Sequence, residues 1–141
     1  MIQRVLAIPP KRFERSLVSF LTEEEVEAVL STPDRTTWTG RRDYALLGLA
    51  AQTGLRASEL IGLRCQDVHL GVGAHVCCLG KGRKQRITPL TKGMVALLRT
   101  WLSERAAQGT EPLFPTRTGR ILSRDALEHR LALYATSVAP D

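Results

Sequence analysis

Between Arg41 and Gly54 the chain reads RRDYALLGLAAQTG. Tyr44, Leu46, Leu47, Leu49, Ala50 and Ala51 make this stretch apolar on nearly every side of a helix. Such a helix has no broad face to turn to water. It belongs at the centre of a core, and the rest of the chain has to cover it. Thr39 stands where an N-cap is expected, the helix runs to about Gln52, and Gly54 is its C-terminal stop.

The covering elements are also punctuated. In LTEEEVEAVL, Thr22 and Glu25 have the spacing of a capping box, with Leu21 and Val26 placed as a hydrophobic staple. Glu23, Glu24 and Glu25 put negative charge at the positive end of that helix, Val26, Val29 and Leu30 form its inner face, and Pro33 ends it. After Gly54 a short helix is expected over Arg56 to Leu63. The period then changes. His75 to Leu79 and Gln85 to Leu90 read as strands of a β-hairpin around GKGRK, with Asp67 to Leu70 as a third, edge strand. Thr91 caps a fourth helix on which Met94, Leu97, Leu98 and Trp101 recur at helical spacing. A loop with Pro112, Pro115 and Gly119 follows. Ser123 caps a last helix with Leu127, Leu131, Tyr134 and Val138 on one face. Helices, hairpin, helices: the expected fold class is mainly α with a small antiparallel β-sheet, an α+β domain. It starts at residue 21. Residues 1–20, with Pro9-Pro10 and the basic KRFER, read as a linker or lead-in segment.

Several function classes drop out. The three cysteines, Cys65, Cys77 and Cys78, fit neither a disulfide framework nor a zinc spacing, so reduced thiols and a cytoplasmic location are expected. No histidine pair has metal-ligand spacing, and no metal or cofactor is expected. No apolar run approaches the roughly 20 residues of a membrane span, and no secretory leader is read at the start. GKG is not a P-loop, because His75 stands where the first glycine would be and Gly82 follows Lys81. Ser58 lies in no nucleophile elbow.

Charge points towards a polyanion. The net charge is +6, and from Gly71 to Ser103 there is no Asp or Glu, while Lys81, Arg83, Lys84, Arg86, Lys92 and Arg99 all fall there. Two constellations give this chemical content. In TGLRASELIGLRCQDV, Arg56 opens a helix and Glu59, one turn on, lies on the same face, where a carboxylate can orient a guanidinium. That suits a phosphate, and equally suits a surface ion pair. In LGKGRKQRITPL, Gly80 and Gly82 permit a tight turn that carries Lys81, with Arg83, Lys84 and Arg86 behind it. A lysine there can meet a phosphate or protonate a leaving oxygen, or simply keep a hairpin tip soluble. Ala50, Gly54, Leu55, Leu60 and Leu63 also have the spacing of a helix-turn-helix.

Together, TGLRASELIGLRCQDVHL and, 25 residues after Arg56, Lys81 in GKGRKQRITPL closely resemble the tyrosine recombinases, the phage integrases and Xer-type enzymes. LTEEEVEAVL, RDYALLGLAAQTG and the later LFP and LSRDALEHRL extend the resemblance over residues 21–139. The resemblance implies a catalytic domain that works on double-stranded DNA without metal or nucleotide cofactor. A tyrosine attacks a phosphate, leaving a 3′-phosphotyrosyl link and a free 5′-hydroxyl. It makes Arg56 the first catalytic arginine, Glu59 its supporting acid, and Lys81 the hairpin general acid. Arg83, Lys84 and Arg86 become DNA contacts, and self-association on DNA is implied for the full-length family.

The sequence also departs from the family. The residues three after His69, His75 and His129 are Val72, Cys78 and Ala132, so the family's H-x-x-R motif is absent, and Tyr134 lacks the setting of the nucleophile. The chain is therefore expected to be a truncated, catalytically incomplete recombinase domain. Two other readings compete. One is a non-enzymatic helix-turn-helix-like DNA-binding regulator. The other is an RNA-associated module, which the 5% aromatic content disfavours.

Overall fold

The structure is a computed structural model and describes residues 22–79, 84–105, 109 and 111–138, with side chains through residue 136. Residues 1–20, Leu21, the turn residues Gly80, Lys81, Gly82 and Arg83, and the Val138 side chain, all named above, lie outside it. The fold is mainly α with a three-stranded antiparallel sheet, as the sequence order implies. Among the described residues no helix is long and apolar enough to cross a membrane.

Helix α1 (Glu23–Leu30) opens on the capping box. The Thr22 hydroxyl accepts from the Glu25 N–H at 3.1 Å, and the Glu25 carboxylate accepts from the Thr22 N–H at 2.8 Å. Helix α2 (Trp38–Thr53) is the central one, with Ala45, Leu46, Leu47, Leu49 and Ala50 buried. Its cap is Thr37, not Thr39. The chain turns through Thr37 N–H to Asp34 O at 3.1 Å, and the Thr37 hydroxyl then accepts from the Gly40 N–H at 2.9 Å. The Asp34 carbonyl oxygen comes within 1.8 Å of where a Cβ on Gly40 would stand, so only glycine permits this turn. At the other end Gly54 takes φ 72° and its N–H closes on Ala50 O at 2.9 Å.

Helix α3 (Ala57–Gly62) follows at once, then a 3₁₀ turn (Cys65–Asp67) and the sheet. Strands β1 (Val68–His69), β2 (His75–Leu79) and β3 (Gln85–Pro89) lie in that spatial order. Val76 and Cys78 are buried beneath the sheet, while Leu79 and Ile87 lie exposed on its other face. Helix α4 (Lys92–Arg105) is capped by the Thr91 hydroxyl and lays Met94, Leu98 and Trp101 into the core. The Trp101 indole donates to Leu113 O at 2.8 Å, fixing the loop that contains Leu113 and Phe114. Helix α5 (Arg124–Val138), capped by Ser123, returns across α1 and α3 with Leu127, Leu131 and Tyr134 inward.

Candidate nucleic-acid interface

Arg56 is placed by its neighbours. Leu55 and Ala57 are both completely buried, so the extended backbone between them (φ −78°, ψ 161°) can only turn the intervening side chain outward. The Arg56 side chain makes no hydrogen bond or ion pair among the described residues. Helix α3 is six residues long, so what this end offers an anion is the guanidinium itself more than an aligned helix dipole.

Glu59 is buried, 8% exposed, and its partners differ from the simplest expectation. Its Oε1 accepts from the backbone N–H of Arg56 at 2.8 Å, not from the guanidinium. The cation on Glu59 is Arg86, whose Nη1 lies 3.3 Å from Oε2 and 3.5 Å from Oε1. The Cys78 thiol donates to Oε2 at 3.8 Å. Burial, and after it the nearby Glu59 charge, pushes that thiol up to about 11, so Cys78 is an inert, protonated member of the cluster.

The pairing register brings these groups together. Cys78 is opposite Arg86, so both point toward α3, and sliding β3 by one residue would turn Arg86 to the far face. Lys84 is exposed at the start of β3. Beside the cluster, a cleft of about 530 Å³ is lined by Ser58, Glu59, Arg64, Asp67, Cys77 and Gln85, among others. The structure thus joins Arg86, by its guanidinium, and Arg56, by its backbone N–H, to Glu59, while Lys84 stands two residues before Arg86 with no contact to them shown. Among the described residues no cluster of three or more His, Cys, Asp or Glu could hold a metal.

A second polar cluster escaped the sequence reading. Asp43 is 3% exposed inside the core. Its Oδ1 accepts from Arg42 at 2.8 and 3.0 Å, and its Oδ2 accepts from Arg130 at 2.9 Å and from the Tyr134 hydroxyl. Arg42 also donates to Pro115 O at 3.1 Å. Burial, then the hydrogen bond to Asp43, pushes the Tyr134 phenol up to about 12. Arg130 is therefore part of an internal lock between α2 and α5. Arg42-Asp43 in an otherwise apolar helix was the available signal, since buried charges must be paired.

A domain of this kind, helical, with a small sheet whose Arg86 meets the buried Glu59 beside an exposed arginine, matches known proteins. The profile of the phage integrase family covers residues 19–138. The chain belongs to that family. It is 54% identical over 132 residues to the Sinorhizobium fredii protein y4rC, named for a proposed integrase or recombinase role; the match takes in 92% of this chain and 39% of that protein. To the tyrosine recombinase XerD of Halalkalibacterium halodurans it is 38% identical over 137 residues, 94% of this chain and 45% of that one. The crystal structure of the XerH site-specific recombinase on a palindromic difH substrate, a post-cleavage complex, superposes with a TM-score of 0.66 at 26% identity. That superposition covers 86% of this chain and 37% of XerH. The chain thus spans less than half the length of these relatives. The match favours the recombinase reading over the helix-turn-helix regulator.

Proposed function

We propose that this chain is part of the catalytic domain of a site-specific tyrosine recombinase and binds duplex DNA by its phosphates. Arg56 is the first catalytic arginine in this reading, with Lys81 as the proton donor to the leaving oxygen. Arg83 and Lys84 contact the backbone beside it, and copies of the full-length protein associate on DNA. The observation that carries the reading is the Arg56 guanidinium. It is exposed between two buried residues and unpaired among the described ones, at the position where the family motif has its arginine.

The chemistry follows from charge. In the reaction proposed for the whole protein, a tyrosine oxygen bonds to phosphorus and the P–O5′ bond breaks. Negative charge grows on the nonbridging oxygens, where a forked guanidinium can meet two of them at once. The departing 5′-oxygen takes its proton from Lys81. Glu59 contributes by holding the Arg56 backbone from beneath.

Binding to labelled duplexes of several unrelated sequences tests this. Arg56→Ala and Lys81→Ala are expected to weaken binding to all of them alike, as phosphate contacts do. Losses confined to particular base pairs would instead support a helix-turn-helix reader.

A further inference from the structure

We infer that Arg86 is a positioning residue whose guanidinium occupies the Glu59 carboxylate and so leaves the Arg56 guanidinium open to a phosphate. This rests on the reading of Arg56 given above. Glu59 lies three residues beyond Arg56, a spacing at which carboxylate and guanidinium pair readily on one helix face. The structure does not make that pair. It gives Glu59 the backbone N–H of Arg56 at 2.8 Å and the Arg86 guanidinium at 3.3 Å.

Burial explains why the choice matters. The Glu59 side chain is 5% exposed and that of Arg86 47%. The carboxylate is the buried member and needs a cation, since an uncompensated buried charge is costly. Arg86 reaches it from β3, opposite Cys78 in the register, and the Cys78 thiol supplies only a weak, neutral donor. Without Arg86, Arg56 is a cation tethered at Glu59, since its own N–H already sits on the carboxylate. Its guanidinium then folds down onto Glu59 and is lost to the DNA. Arg86 thereby acts through Arg56 and does not itself grip phosphate.

The test is a cycle of DNA affinities for the whole chain on a fluorescein-labelled duplex of mixed sequence, across about 50 to 200 mM sodium chloride. Arg56→Ala is expected to weaken binding and to lower the slope of log K against log salt by about 0.9, one phosphate contact. Arg86→Gln is expected to weaken binding in the native background and to add nothing in the Arg56→Ala background. Adding Glu59→Gln to Arg86→Gln removes the competing carboxylate. It should recover affinity by about threefold or more, because directly coupled residues are not additive. If Arg86→Gln alone does not fold, the Glu59→Gln/Arg86→Gln double variant carries the comparison, since it buries no unpaired charge. It is expected to keep the native salt slope.

Additive losses, with a further fall of about 0.9 in slope for Arg86→Gln, would place Arg86 on a phosphate and overturn the inference. A different result, Arg56→Ala leaving affinity and slope untouched, would remove the reading of Arg56 and this inference with it.

Discussion

Asp43 shows how much one residue can hold. Its carboxylate takes hydrogen bonds from two guanidinium groups and a phenol, all but removed from water. Asp43→Ala strands Arg42, itself 5% exposed, and is expected to cost about 3–5 kcal/mol by urea unfolding. Tyr134→Phe keeps the ring and loses one donor, so about 1–2 kcal/mol is expected. The same two acids that burial raises predict the alkaline limit of stability. Tyr134 moves from 10 to about 12 and Cys78 from 9 to about 11, so each holds its proton longer folded than unfolded. Their contribution is fully present below the unfolded values and is lost as pH rises through the folded ones. Melting temperature should therefore fall from about pH 9 upward, and Tyr134→Phe should flatten the part of that fall above about pH 10.

Among the elements, the turn into α2 is the sharpest constraint. A methyl on Gly40 meets a backbone carbonyl, which cannot swing aside as a side chain would. Gly40→Ala is expected to destabilise by about 1–3 kcal/mol, the range of other overpacking substitutions. Gly62, at the end of α3, has nothing within 4 Å of its added Cβ, so Gly62→Ala should be neutral or stabilising by up to about 1 kcal/mol. Paired thermal melts of the two variants check this.

The turn also shows where the sequence was legible. Helix starts written in adjacent residues, such as the Thr22–Glu25 box and the Thr91 and Ser123 caps, form as read. The choice of Thr37 over Thr39 depended on a backbone turn from Asp34 that no propensity contains. The two paired strands of the hairpin were legible from their period. Partners across space were not: Asp43 meets Arg130 and Tyr134 across 87 and 91 residues. Glu59 meets Arg86 across 27 residues, through a sheet register that the strand pattern alone does not fix.

At the scale of the whole molecule, the acid-free segment from Gly71 to Ser103 supplies positive potential along the hairpin and α4, and the net charge of +6 agrees with a polyanionic partner. The H-x-x-R motif does not occur in the 141 residues. Groups that act as a catalytic unit lose nearly everything when members are missing. The chain alone is therefore expected to form no covalent adduct on a suicide DNA substrate, as read by a denaturing gel. An adduct would mean that a tyrosine of this chain, Tyr44 or Tyr134, attacks the phosphate.

The contact that matters most is one guanidinium on a DNA phosphate, and the salt dependence of binding reads it directly. The native chain should bind a mixed-sequence duplex with affinity that falls steeply with salt, and Arg56→Ala should reduce the slope by about 0.9 while leaving the melting temperature unchanged. An unchanged slope in a folded Arg56→Ala protein would contradict the account, because Arg56 would then touch no phosphate.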